Sequence, residues 1–235
     1  MVFIDFPCEF APRRLPFFLA LEEWVADNLP KTDDYFFTWQ QSVPTVICGR
    51  NQDIPKEVDV DYCRRNGIDI VRRRSGGGAV VADDNNMMLS YVAPRGEASV
   101  EETFARWTEM IAATLRKLGV EAQATGRNDV CIRGRKVSGG AFYAHPAAFI
   151  AHCTFILRPL PERMTRALTP DRAKLASKGV TSVDARITSL AAEGSTASRE
   201  DITALFRREH CTGSLTLTPE DIAQVEAIEQ KYYQP

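Results

Sequence analysis

Three arginines run straight into three glycines at Arg72-Arg73-Arg74-Ser75-Gly76-Gly77-Gly78, with Ile70-Val71 before them and Ala79-Val80-Val81 after. Glycine tolerates φ > 0 and lets backbone approach a ligand closely, so successive N–H groups can converge on an anion. Arginine adds a permanent planar charge whose fork matches phosphate or carboxylate. The combination suggests a site for a phosphate-bearing or anionic small molecule; a β-turn with a solvated basic edge fits the same residues. A second cation, Lys136, lies just inside a tight turn and is followed by Val137-Ser138-Gly139-Gly140. Beside a glycine loop a lysine can hold an anion as a point charge, and the alternative is an exposed hairpin lysine.

Asn128-Asp129 and Asp83-Asp84 adjoin strand ends and could ligate Mg²⁺, which takes one or two carboxylates plus substrate phosphate. Turn chemistry accounts equally for Asp84-Asn85. His152 sits inside the apolar run Phe149 to Ile156, where a lone strand histidine is more often a hydrogen-bonded core residue than a catalyst. Cys153 falls on the opposite strand face, which argues against a Cys–His dyad. The sequence has no Ser–His–Asp order, HExxH or P-loop pattern.

These residues need a scaffold, and the apolar pattern supplies one. Leu15, Phe18, Leu19, Leu21, Trp24 and Val25 recur at spacings of three and four, with Glu22-Glu23 on the other face, as in an amphipathic helix from Arg13 to Asn28. Strands are expected at Tyr35–Trp39, Thr45–Cys48 and Ile68–Arg73, the last feeding the glycine turn. A short helix, Val58 to Asn66, is closed by Gly67. The polar turn Ala82 to Asn86 leads into a returning strand, Met87 to Val92. Ser99-Val100-Glu101-Glu102 reads as a capping box opening a helix to about Leu118, with Phe104, Trp107, Ile111 and Leu115 inward. Strands Asp129–Ile132 and Arg135–Val137 flank the turn Arg133-Gly134, and a hydrophobic strand runs from Ala148 to Leu157. Helices follow at Leu168–Gly179, Arg199–His210 and Pro219–Tyr233, with Ala191 to Ser198 as a turn or short linker. Helices and hairpins without strict βαβ alternation define an α+β protein with one main sheet.

The 235 residues are 44% hydrophobic and 26% charged, with a formal net charge of −2, so the arginine cluster is local and nothing argues for nucleic-acid binding. No apolar run reaches membrane-span length, and Met1-Val-Phe-Ile-Asp lacks the basic start of a signal peptide. Six scattered cysteines without a CxxC pair read as reduced, mostly buried thiols. A cytoplasmic protein without a membrane partner is expected.

Several segments together resemble the lipoate–protein ligase A catalytic domain. They are Leu19-Ala20-Leu21-Glu22-Glu23-Trp24, Trp39-Gln40 with Pro44-Thr45-Val46-Ile47, and Gly49-Arg50-Asn51-Gln52. The glycine segment Arg72 to Val80 follows, then Gly126-Arg127-Asn128-Asp129, Gly134-Arg135-Lys136-Val137-Ser138-Gly139 and Ser177-Lys178-Gly179-Val180-Thr181-Ser182-Val183. Their order matches the family's across roughly residues 15 to 190. The resemblance implies the biotin/lipoate protein ligase catalytic-domain fold, α+β with a mixed, mainly antiparallel sheet flanked by helices. It further implies that lipoate and MgATP give lipoyl-AMP and pyrophosphate, and that an acceptor lysine then takes the lipoyl group as an amide.

By that resemblance Lys136 is catalytic, and Arg73, Ser75, Gly76, Gly77, Gly78, Ala79, Val80, Val81, Asn128, Asp129, Lys136 and Ser138 bind ATP and lipoyl-AMP. Trp39, Gly78, Gly139, Ala141 and His152 would line the lipoate slot, and Asp129 would hold Mg²⁺. The implied acceptors are lipoyl domains of 2-oxoacid dehydrogenase E2 subunits and the glycine cleavage H protein. Residues 1–235 read as one catalytic domain, with terminal helices in 190–235. Many members continue into a small C-terminal domain, and this sequence stops at Tyr233-Gln234-Pro235, so either a short protein with a separate accessory subunit or a truncated chain is expected.

The chain also departs from the family. Ala82-Asp83-Asp84-Asn85-Asn86 replaces His-Asp-x-Gly-Asn, Gly140 replaces a serine, and Ala151-His152-Cys153-Thr154 replaces His-His-Gly-Thr. Ser182-Val183-Asp184-Ala185-Arg186 replaces Ser-Val-Arg-Ser-Arg. Two other readings stay open. One is an octanoyl- or lipoyltransferase drawing acyl from a carrier thioester without ATP, with Cys153 or Cys131 as nucleophile. The other is a lipoate- or adenylate-binding homologue that lacks transfer. Arg73, the triple glycine and Asn128-Asp129 favour the ligase.

Overall fold

The run Asn86 to Ala93 is buried residue after residue, so it has to lie inside a sheet covered on both faces. It forms β6 (Asn86–Pro94), beside the equally buried β10 (Ala148–Ile156) at the centre of an eight-stranded sheet. The computed structural model describes residues 1–96, 98–125, 128–169 and 186–232. Gly126-Arg127, Ser177–Val183, Asp184-Ala185, Tyr233 and nearly all of the expected helix Leu168–Gly179 lie outside those residues.

Among the described residues the large sheet has the order β11-β1-β2-β6-β10-β9-β8-β7. Its other strands are β1 (Val2–Asp5), β2 (Tyr35–Trp39), β7 (Ala122–Thr125), β8 (Asp129–Ile132), β9 (Arg135–Ala144) and β11 (Gly213–Thr216). The central and β7-side pairings are antiparallel, while β1 pairs in parallel with both β11 and β2. A separate three-stranded sheet contains β4 (Asp69–Arg72), β3 (Thr45–Cys48) and β5 (Val80–Ala82), in that order. The mixed, mainly antiparallel α+β class and its one main sheet are as expected; the small second sheet forms because β3 pairs with the strands on either side of the glycine turn. β1, β7 and β11 are too short or too polar to have shown a strand pattern.

One face of the large sheet is covered by α4 (Val100–Lys117), which starts at the expected Ser99/Glu102 capping box. Trp107, Ile111 and Leu115 are fully buried there, with Trp107 stacked on Tyr91 at 5.1 Å between ring centres. α6 (Arg199–His210) adds Ile202 and Phe206 to the same core.

The other face carries α1 (Leu15–Asn28), held among the large sheet, the small sheet and α7 (Pro219–Glu229). α1 is therefore buried on every side from Leu15 to Ala26, which corrects the amphipathic reading. Glu22 and Glu23 lie inside, and a helix buried all round carries acids only where they have partners. The expected helix Val58–Asn66 is split into α2 (Ile54–Glu57) and α3 (Val60–Arg65), because Asp59 caps the second by accepting from the Tyr62 N–H. A short α5 (Glu162–Thr165), absent from the sequence reading, buries Met164 behind the small sheet. No helix among the described residues is long and apolar enough to cross a membrane.

Trp107 fills the space between α4 and the central strands. Trp107→Ala is expected to lower the unfolding free energy by about 3–5 kcal/mol in urea denaturation.

Candidate active site

A β-bulge decides which way Lys136 points. In the β8–β9 hairpin Asp129 lies opposite Gly139 and Val130 opposite Ser138, but Cys131 lies opposite Lys136, leaving Val137 as an extra residue. Strand side chains alternate, so positions three apart normally face opposite sides. The bulge returns Lys136 to the face of Gly139 and Ala141, whose cross-strand partners are Thr154 and His152. Arg133 and Gly134, with φ of 50° and 76°, make the tight turn that closes the hairpin.

Gly139 gives the lysine its path. A Cβ built there would fall 2.0 Å from Lys136 Nζ, so the ammonium lies across the space that a side chain would fill. Beyond it Nζ meets Asp129 Oδ1 at 2.7 Å, and Arg186 Nη2 takes Asp129 Oδ2 at 2.6 Å. Asn128 is held by its Nδ2 donating to the Gly140 carbonyl at 2.7 Å and its own carbonyl accepting from Gly140 N–H at 2.8 Å. Gly139-Gly140 is thus strand interior, which corrects the expected glycine loop after Lys136.

The true glycine loop joins β4 to β5, and the three arginines serve it in three directions. Arg72 donates to the carbonyls of Gly49, Arg50 and Gln52, closing the neighbouring turn. Arg74 pairs with Glu23 at 3.0 Å and lies over the Tyr232 ring. Arg73 is buried and donates to Ser75 Oγ and to the carbonyls of Ile47, Gly76 and Gly78 at 2.7–3.0 Å. All four acceptors are uncharged, and burial holds its pKa down to about 10. Gly49 packs so tightly on this loop that a Cβ would come within 2.1 Å of the Gly77 carbonyl oxygen.

A buried polar chain ties the loop to β10 and α1. Trp39 Nε1 can only donate, and it gives its hydrogen to Ser90 Oγ at 2.8 Å, leaving the Ser90 hydroxyl to donate to Glu22. At the other end Arg73 Nε donates to Ser75 Oγ, and Ser75 lies 2.8 Å from His152 Nε2. His152 Nδ1 is 2.9 Å from Glu22 Oε2. With the ring proton on Nδ1, the Ser75 hydroxyl donates to Nε2 and each of these donors has an acceptor. Glu22 was missed in the sequence; its signal is a pair of acids set in an apolar helix between Leu21 and Trp24.

Between these elements lies a cavity of about 390 Å³, within the range of small-molecule sites. Of the residues singled out in the sequence, Trp39, Arg73, Gly77, Gly78, Ala79, Val80, Val81, Asn128, Asp129, Lys136, Gly139, Ala141 and His152 line it. Ser75, Gly76 and Ser138 do not. Ser75 is taken up by Arg73 and His152, and the register turns Ser138 to the opposite face beside Cys153. Leu19, Ile47, Met88, Ile156 and Leu168 make much of the remaining wall apolar, while Asn128, Asp129, Lys136 and Arg186 form a polar end. Asp83 lies outside the cavity, accepting from the Asn85 backbone and side chain, so the Ala82–Asn86 segment is turn chemistry. No cluster of three metal-ligating side chains occurs among the described residues. The single Asp129 carboxylate fits Mg²⁺, which takes its remaining ligands from water and substrate phosphates.

The architecture is that of solved lipoate–protein ligases. A bi-partite lipoate protein ligase from Thermoplasma acidophilum, studied with its E2 lipoyl domain, superposes with a TM-score of 0.83 at 22% identity, over 98% of this chain and 92% of the other. A lipoate–protein ligase A bound with ATP gives 0.82 at 20% identity, over 98% and 95%. Residues 16–210 match the lipoyl protein ligase A/B catalytic domain, and the chain belongs to that family. Staphylococcus aureus lipoate–protein ligase 1 is 37% identical over 172 residues, which is 73% of this chain and 52% of the relative. Bacillus subtilis lipoate-protein ligase LplJ is 31% identical over the same length, 73% and 51%. The chain spans about half the length of these curated relatives.

Gly139→Ala is expected to fold with little loss of stability, because the colliding atoms are the flexible end of Lys136, while displacing the ammonium from Asp129. Thermal melting and ligand binding by calorimetry check the two halves. Burial pushes the Cys153 thiol up to about 12. Near pH 8 only about one such thiol in ten thousand is ionised, so Cys153 should resist iodoacetamide while exposed Cys8 is alkylated, as read by peptide mass mapping.

Proposed function

We propose that this chain activates lipoate with ATP and transfers the lipoyl group to a lysine of acceptor lipoyl domains. The observation that carries the reading is Lys136, brought by the bulge and by Gly139 to the polar end of a largely apolar cavity, across from a glycine loop clamped by Arg73. In the first step a lipoate carboxylate oxygen bonds to the α-phosphorus of ATP and pyrophosphate leaves. Negative charge builds on the phosphoryl oxygens, and a fixed ammonium with nearby N–H donors stabilises it most where water is excluded. Lys136 supplies that charge, the Gly77–Val81 segment supplies backbone, and the apolar wall with Trp39 takes the acyl tail. In the second step the acceptor amine, having lost its proton, bonds to the acyl carbon and AMP departs.

Asp129, together with the nucleotide phosphates, would hold Mg²⁺, whose contribution when bound is to neutralise phosphate charge. The proposed acceptors are 2-oxoacid dehydrogenase E2 lipoyl domains and the glycine cleavage H protein, in a cytoplasmic setting. An accessory subunit is included by analogy with the bi-partite Thermoplasma ligase. The thioester-transferase reading has less support, since Cys153 is buried with its thiol held protonated and lies on the face opposite His152.

Purified protein with lipoate and MgATP should release pyrophosphate and then label an apo lipoyl domain; absence of pyrophosphate release would overturn the reading. Lys136→Ala should lower the adenylation rate by about a thousandfold, read by pyrophosphate release. A near wild-type rate would remove the role given to Lys136.

A further inference from the structure

Asp129 is the carboxylate that the proposed function offers to a divalent cation, yet both of its oxygens already face cations. Arg186 Nη2 donates to Oδ2 at 2.6 Å, and Lys136 Nζ lies 2.7 Å from Oδ1 as an ion pair in which Oδ1 accepts no hydrogen bond. All three side chains line the same cavity. Arg186 is also delivered there by the backbone. Ile187 bridges in parallel to Lys136, and Thr188 N–H donates to the Lys136 carbonyl at 2.8 Å. The arginine is therefore fixed to the same strand residue whose side chain takes the other oxygen.

One negative charge between two positive ones is a poor site for a third cation. A divalent ion approaching Oδ2 meets a guanidinium in the place it needs and an ammonium beside it. Polyphosphate changes that balance. Its oxygens offer the guanidinium a bidentate partner of higher charge, and Arg186 needs only to swing its side chain to accept it. Lys136 is less suited to this exchange, since Gly139 and the bulge fix its path to Oδ1.

We propose that Arg186 is an internal stand-in for the metal: it occupies Asp129 Oδ2 and yields it when a nucleoside triphosphate draws the guanidinium away. Divalent-cation binding is then conditional on nucleotide, and by linkage the nucleotide binds more tightly with the cation than without it. The inference rests on the nucleotide-dependent reading of the cavity, but its first test needs no nucleotide and no turnover.

The test is Mn²⁺ binding to the full chain, followed by electron paramagnetic resonance, without nucleotide. Arg186→Gln should bind Mn²⁺ about tenfold more tightly than wild type, and adding Asp129→Asn should abolish the gain. Arg186→Lys, which keeps the charge and replaces the fork with an ammonium, should exclude Mn²⁺ as wild type does. Equal Mn²⁺ affinity in wild type and Arg186→Gln would overturn the inference, as would a gain that survives Asp129→Asn. Should Arg186→Gln not fold, Asp129→Asn in the wild-type background with a non-hydrolysable ATP analogue decides. The analogue should then raise Mn²⁺ affinity in wild type beyond its own affinity for the ion, and Asp129→Asn should remove that excess; no such excess overturns the inference. Failure of the functional reading shows separately, as a wild-type protein that releases no pyrophosphate from lipoate and MgATP.

Discussion

Inside the glycine loop, the buried Arg73 makes four hydrogen bonds to uncharged oxygens. A buried guanidinium is tolerated only while those acceptors surround it, so the loop and the arginine hold each other in one shape. That shape faces the cavity, meets Gly49 at backbone contact and passes its orientation on through Ser75 to His152 and Glu22. The binding wall, a central strand and the buried helix α1 thus share a single hydrogen-bonded unit.

The hairpin opposite is governed by a different constraint, the alternation of side chains along a strand. One inserted residue, Val137, sets Lys136 and Gly139 on the same face and sends Ser138 to the other. The two facing walls of the cavity are therefore set by two local devices: a guanidinium that shapes one and a bulge that aims the ammonium from the other. Neither depends on a large rearrangement of the core between α4 and the sheet.

Much of this was legible in the sequence. α1, β2, β3, α4 and α6 carry strong periodic or capping signals and lie within a residue or two of where those signals put them. The residues around the cavity were picked out through the ordered family resemblance, because the arginine–glycine run and Lys136 taken singly also fit a turn and an exposed hairpin. Facing was harder to read. Glu22 and Glu23 looked solvated because helical periodicity reports one covered face, whereas three separate elements cover α1. Ser138 was named by resemblance alone, and its facing away from the cavity could not be read because a bulge leaves no mark in residue types. The division of labour among Arg72, Arg73 and Arg74 depends on carbonyls more than twenty positions away in the chain, and those become neighbours only in the fold.

The parallel ladder between β1 and β11 joins Val2–Asp5 to Gly213–Thr216, and Trp24 of α1 donates to Gln224 of α7. During synthesis β1 and α1 emerge before these partners, and Trp24 waits for Gln224, 200 positions further along the chain. Pairings so distant in sequence make folding slow, and until they form α1 presents apolar surface to its surroundings. These contacts therefore close only after the intervening chain has been made, and in that interval the apolar faces of α1 are open to chaperones and to aggregation.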